Sequence, residues 1–120
     1  CSPAGDASAV LLRGGEVVDG LDTARMRRPA ARTDRDLARG PGRFGAALAL
    51  RPDDDGADLT QGSIRLVTAP AGSVEIAAGP RVGVSRAGGP QHPWRFWIAG
   101  EPTVSPYRAH PALAQDHCRH

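Results

Sequence analysis

The longest uninterrupted apolar runs in this chain are AVLL at 9–12 and AALAL at 46–50. A membrane-spanning helix needs roughly 20 apolar residues, so no such helix is expected. Any core must be assembled from short segments separated by glycine and proline. With 120 residues, 40% of them hydrophobic, there is material for roughly one small domain and one core. Cys1 and Cys118 stand at opposite ends. Disulfide-stapled domains of this size carry more cysteines, so a reducing compartment is expected. The opening CSPAGDAS lacks the basic and apolar regions of a signal peptide.

The short segments divide into a helical half and a period-two half. AVLLR at 9–13, followed by Gly14-Gly15 and Glu16-Val17-Val18, reads as a buried strand kinked at the glycine pair. Leu21 to Arg28 reads as a short basic helix stopped by Pro29. Thr33 or Asp34 can cap the stretch 32–40, which Gly40-Pro41-Gly42 breaks. From Arg43 to Leu50, the positions of Phe44, Ala47 and Leu48 give an amphipathic helix, ended by Pro52. Beyond the polar loop 51–61, strands are expected at Gly62–Thr68, Ser73–Ala77 and Pro80–Ser85, the last two joined by a turn at Ala78-Gly79. Trp94-Arg95-Phe96-Trp97-Ile98 is the strongest strand signal. Its alternation places Trp94 and Phe96 on one face and Trp97 on the other, with at least two of the three expected in the core; a base-stacking platform is the alternative. From Tyr107 onward no periodicity holds, which fits a frayed tail. The expected class is α+β.

Charge is segregated. All fifteen basic residues are arginines, set against thirteen acidic residues. Arginine's planar fork grips phosphate bidentately, although a GC-rich genome produces the same preference over lysine. Residues 21–45 hold seven arginines and three aspartates, while outside them eight arginines face ten carboxylates. A phosphate-contacting surface and a solvated helix face both account for that distribution. The Gly40-Pro41-Gly42-Arg43 turn feeds a helix start, where free N–H groups favour an anion; equally, glycine and proline there simply separate two helices. Arg13 directly follows AVLL, so its charge needs a carboxylate, an anion or water. His92, His110, His117 and His120 with Cys118 match no zinc spacing, and no metal or cofactor is expected. Glu16, Glu75 and Glu101 are candidate general bases with no partner legible in sequence.

Four segments in order, AVLLRGGEVVDGLDTARMRR at 9–28, DLARGPGRFGAALAL at 36–50, PRVGVSRAG at 80–88 and PWRFWIAGEPTVS at 93–105, resemble the alkyladenine (3-methyladenine) DNA glycosylase family. The resemblance implies a base-excision repair enzyme with duplex DNA containing damaged purines as its partner. It would flip the purine out of the helix and hydrolyse its N-glycosidic bond with an activated water. Substrates in the family include 3-methyladenine, 7-methylguanine, hypoxanthine and ethenoadenine. By motif, Arg13 inherits orientation of the nucleophilic water and the Val82 carbonyl contacts the same water. On the same resemblance, Gly83 would lie close to the DNA backbone, and Gly42 and Arg43 would touch phosphate. Phe44-Gly45 departs from the usual Leu-Cys or Leu-Thr.

The family's general-base glutamate, pocket residues and wedge tyrosine lie upstream of the AVLLR block. None of Glu16, Glu75 and Glu101 stands at a matching position. The resulting expectation is an incomplete α+β domain, with short helices first and an antiparallel, partly barrel-like sheet second. Residues 1–8 would be an N-terminal stub, 9–105 the C-terminal portion of the glycosylase domain and 106–120 a tail. Such a chain would be monomeric, off the membrane, cytoplasmic and nucleoid-associated, and inactive by itself. The alternative is a non-catalytic duplex-DNA-binding remnant.

Overall fold

The computed structural model describes residues 3–70, 72–85, 89 and 91–108. They belong to two units, 1–56 and 57–120. The first is helical and the second carries the sheet, so the α+β expectation holds.

In the first unit, α1 spans Leu21–Arg27 and α2 spans Pro41–Ala47, with one-turn 3-10 segments at Asp34–Asp36 and Pro52–Asp54. Gly20 precedes α1 in the left-handed region, φ 68°, where glycine carries no Cβ penalty. Asp22 in the first turn and Arg25 and Arg27 in the last complement the helix dipole. Proline suits the first turn of α2, where its missing N–H is not needed, and α2 therefore begins two residues earlier than the apolar spacing suggests. Thr33 occupies the expected cap position of the 3-10 turn without a side-chain cap bond; its hydroxyl donates to Asp36 Oδ2 at 2.8 Å instead. The core is small: Ala24, Leu37, Ala38 and Ala47 are its buried apolar residues, and Leu37 is the largest. Two arginines tie α1 down. Arg27 Nη1 donates to the Ala47 carbonyl at the end of α2 at 3.0 Å, and Arg28 Nε donates to the Leu37 carbonyl at 3.2 Å.

The AVLL segment forms no strand. Val10, Leu11 and Leu12 are 88, 65 and 48% exposed, and extended pairing is limited to one bridge between Gly14 and Arg39, with the Gly15 amide donating to the Ala38 carbonyl at 3.2 Å. An apolar run becomes a buried strand only when a neighbouring strand satisfies its backbone, and among the described residues none does.

In the second unit, β1 (Ile76–Gly79) pairs antiparallel with β2 (Arg95–Ile98), matching Ile76 to Ile98 and Gly79 to Arg95. Among the described residues the sheet has two strands and is not closed, which corrects the barrel-like expectation. The turn expected at Ala78-Gly79 is instead the end of β1, and 80–85 leaves the sheet as a loop in which Gly83 takes φ 66°. Residues 62–68 are also irregular, with Leu66 and Val67 exposed. Trp97 explains the β1 register: a Cβ at Gly79 would lie 3.1 Å from its ring, so the indole covers the place where glycine leaves room.

The buried face of the sheet holds arginine rather than an aromatic cluster. Arg95 is 6% exposed. Its guanidinium lies 5.5 Å from the ring centres of both Trp97 and Tyr107, and Nη2 donates to the Ser105 carbonyl at 3.1 Å. Trp97 is half-buried, whereas Trp94 and Phe96 are exposed. The expectation that two of the three aromatics are core is thereby corrected. The tail histidines, Cys1 and Cys118 lie outside the described residues.

Candidate nucleic-acid interface

The basic segment 21–45 lies in the first unit, where it holds α1, the first 3-10 turn and most of α2, and its ion pairing is uneven. Arg25 takes two of the three carboxylates. Its Nε and Nη2 grip Asp34 bidentately at 2.8 and 2.7 Å, while Nη1 meets Asp22 at 2.7 Å. Asp36 pairs with Arg39 at 3.6 Å. Hydrogen bonds from Arg25, ahead of its charge, hold the Asp34 carboxyl below its ordinary value, and the same contacts raise the Arg25 guanidinium. Asp36 is also lowered, first by the Thr33 hydroxyl and then by the charges of Arg39, Arg35 and Arg43.

The consequence is a charge excess with a definite location. Arg25 and Arg39 use all three aspartates in ion pairs. Arg27 and Arg28 bond to backbone carbonyls, which do not cancel their charge. Arg32, Arg35 and Arg43 are exposed and form no ion pair with a described carboxylate. Five cationic side chains therefore remain uncompensated by contact pairs, a field suited to an anionic polymer.

Of the residues singled out from sequence, Arg13, Gly42 and Arg43 fall in the first unit and Val82 and Gly83 in the second. Within the first unit, the chain after Arg13 is joined to the approach to α2 by the Gly14–Arg39 bridge and by Phe44, whose ring lies 3.5 Å from a Cβ built on Gly15. The unusual Phe44 thus packs over the glycine that follows Arg13 and Gly14. Arg13 is half-buried, and its Nε is buried without a hydrogen-bond partner. A buried guanidinium N–H left unmade costs free energy until an oxygen reaches it, so this donor is ready for a water or an anion. Gly42 and Arg43 are exposed at the start of α2, with open space where a Cβ would stand on Gly42. Val82 is half-buried and Gly83 exposed.

The candidate bases are not assembled for proton transfer. Glu16 and Glu75 are exposed, with no side-chain hydrogen bond or ion pair among the described residues. Glu101 Oε1 accepts from the Thr103 amide and hydroxyl at 3.2 and 2.9 Å, a local turn brace. Among the described residues no cluster of histidine, cysteine or carboxylate could hold a metal, and no helix is long and apolar enough to cross a membrane. Sequence reading missed the way Arg25 collects two aspartates. The three-residue spacings Asp22–Arg25 and Asp36–Arg39 were its legible signal, whereas the Arg25–Asp34 half depends on the chain turning back.

Comparison with known proteins agrees with the motif resemblance. A protein 57% identical over 112 residues, from Nocardia farcinica, covers 91% of this chain, and the match covers 52% of that protein. One from Leifsonia xyli is 54% identical over 117 residues, covering 93% of this chain and 54% of its own. A third, from Streptomyces avermitilis, is 50% identical over 114 residues, 92% of this chain and 53% of its own. Each is named, provisionally, a 3-methyladenine DNA glycosylase. The chain spans about half the length of these curated relatives. Since the methylpurine-DNA glycosylase model also matches residues 1–102, the chain belongs to the methylpurine-DNA glycosylase family.

Proposed function

We propose that this chain serves in base-excision repair as the DNA-gripping and water-orienting part of a glycosylase. That enzyme hydrolyses the N-glycosidic bond of alkylated or deaminated purines of the 3-methyladenine type. The observation that carries the reading is the arginine set Arg27, Arg28, Arg32, Arg35 and Arg43, which forms no ion pair with a described carboxylate once Arg25 and Arg39 have taken the three aspartates. Phosphate contacts of this kind are independent of base sequence and set the register of the protein on the duplex. In the proposed role Gly42 and Arg43 contact phosphate directly, and Gly83 gives the DNA backbone room.

The chemistry assigned to this chain is positional. After the purine is flipped out, a water attacks the sugar carbon of the N-glycosidic bond, the base departs and an abasic site remains. The Arg13 Nε–H, buried without a described partner, is assigned a hydrogen bond to that water; the role of Val82 rests on the motif resemblance alone. Among the described residues neither Glu16 nor Glu75 has a partner that would hold it as a base, and Glu101 is engaged with Thr103. Proton abstraction is therefore not assigned to Glu16, Glu75 or Glu101.

The test is incubation of the 120-residue chain with duplex DNA carrying hypoxanthine or 3-methyladenine. The expected result is DNA binding with no base release above background. Base release by these residues alone would overturn the division of labour. Binding that persists when the complete enzyme also releases no base would favour a non-catalytic DNA-binding protein.

A further inference from the structure

We propose that Asp19-Gly20 is a site of spontaneous covalent modification, at which the aspartate converts to isoaspartate through a cyclic imide. The inference does not depend on the DNA-gripping role. Asp19 and Gly20 are both exposed at the turn that leads into α1. The Gly20 amide is not tied into the helix ladder; it donates to Asp19 Oδ1 at 2.8 Å. Since Oδ1 is one bond from Cγ, the nitrogen already stands beside the carbon it would attack, a near-attack arrangement. Gly20 has no Cβ to crowd that approach, and it takes φ 68° without the penalty a side chain would bring. The same turn borders an open depression lined by Val18, Thr23 and Arg25, which gives water access to both residues.

Water is the sole co-reactant. With the Asp19 carboxyl protonated, the Gly20 nitrogen bonds to Cγ, the Cγ–OH bond breaks, and the hydroxyl leaves with the amide hydrogen as water. A second water opens the imide. Cleavage of the Cγ–N bond restores aspartate, whereas cleavage between the main-chain carbonyl carbon of Asp19 and the nitrogen routes the chain through Cγ and adds a methylene to the backbone. That addition falls directly before the residue whose carbonyl accepts the Ala24 amide at 3.0 Å, and Ala24 is a core residue, so the modified linkage disturbs the first turn of α1. The chain holds a second Asp-Gly pair, Asp55-Gly56, also exposed and with Gly56 at φ 81°. Ring closure needs the aspartate Cβ and the following nitrogen on one side of the Cα–C bond. At Asp55 a ψ of 131° turns them apart, and among the described residues its carboxyl forms no hydrogen bond. The dipeptides are identical; the folded geometry separates them.

The experiment ages the 120-residue chain at physiological temperature in mildly acidic buffer, with and without urea, and then digests it with trypsin. Because trypsin spares the Arg51-Pro52 bond, peptides 14–25 and 44–65 carry the two sites separately. Methyl transfer by an isoaspartyl methyltransferase measures the isoaspartate in each. The expected result is that isoaspartate accumulates about tenfold or more faster at Asp19 than at Asp55 in the folded chain, and that the two rates converge in urea, where only the shared dipeptide remains. Asp19→Glu, which would have to close a larger ring, removes the signal from the first peptide and leaves the second unchanged. The wild-type comparison decides the matter even where the variant fails to fold. Equal rates at the two sites in the folded chain overturn the proposal. So does a faster rate at Asp55, or a ratio that urea leaves unchanged.

Discussion

At the scale of single residues, the arginines divide by what they bind. Arg25 is a structural knot that holds Asp22 at the start of α1 and Asp34 in the following 3-10 turn. Arg43 has no such commitment. Arg43→Ala is therefore expected to leave the fold intact by circular dichroism and to lower duplex-DNA affinity equally across sequences, reducing the salt slope by about one. The depressed carboxyls give a pH dependence of definite sign. Asp34 and Asp36 titrate below their ordinary value of 3.8 in the folded chain. Their contribution to stability is fully present above that value and is lost as pH falls through the lower folded values. Thermal melts between pH 6 and pH 2.5, roughly bracketing aspartate titration, should show a falling midpoint, less steep in Asp34→Asn. An equal slope in that variant would remove Asp34 from the account.

At the scale of elements, small residues decide what can approach. Gly79→Val places carbon where the Trp97 ring already sits, 3.1 Å from a Cβ, and is expected to destabilise the sheet by about 1–3 kcal/mol, read as increased Trp97 exposure and a lower urea midpoint. Leu37→Ala removes the largest buried side chain of the first unit, at an expected cost of about 2–5 kcal/mol. The sequence made α1 and β2 legible because each is a local pattern: Leu21 to Arg27 ends before Pro29, and Arg95 to Ile98 is aromatic and β-branched. It misplaced the other strands because strand formation is a property of pairs. AVLL and SIRLV have the composition of strands, yet among the described residues they lack the partner that Ile98 supplies to Ile76. The candidate site was legible to the extent that it lies in contiguous motifs. Arg43 and Gly42 are readable beside Gly40-Pro41, but the orphaned Arg13 Nε and the double engagement of Arg25 arise only once the chain folds back.

At the scale of the whole molecule, exposed apolar surface outweighs the core. Among the described residues four apolar ones are buried, while sixteen large ones are conspicuously exposed, including Val10, Leu11, Leu12 and the outer sheet face. A chain that buries so little apolar area should unfold with low cooperativity, giving a urea m-value below the 1–3 kcal/mol/M typical of small domains; a steep, cooperative transition would contradict this. Electrostatics gives the molecule its most direct functional signature, because the cationic excess is confined to 21–45 on a chain of net charge +2. The decisive measurement is the affinity of the 120-residue chain for a labelled undamaged duplex as a function of salt. The account predicts that log affinity falls linearly with log salt, with a slope of about −4.5 if the five arginines without an ion-pair carboxylate all engage phosphate. The slope should become shallower by about one in Arg43→Ala. An affinity that does not change between low and high salt would contradict it and leave the basic segment a solvated face.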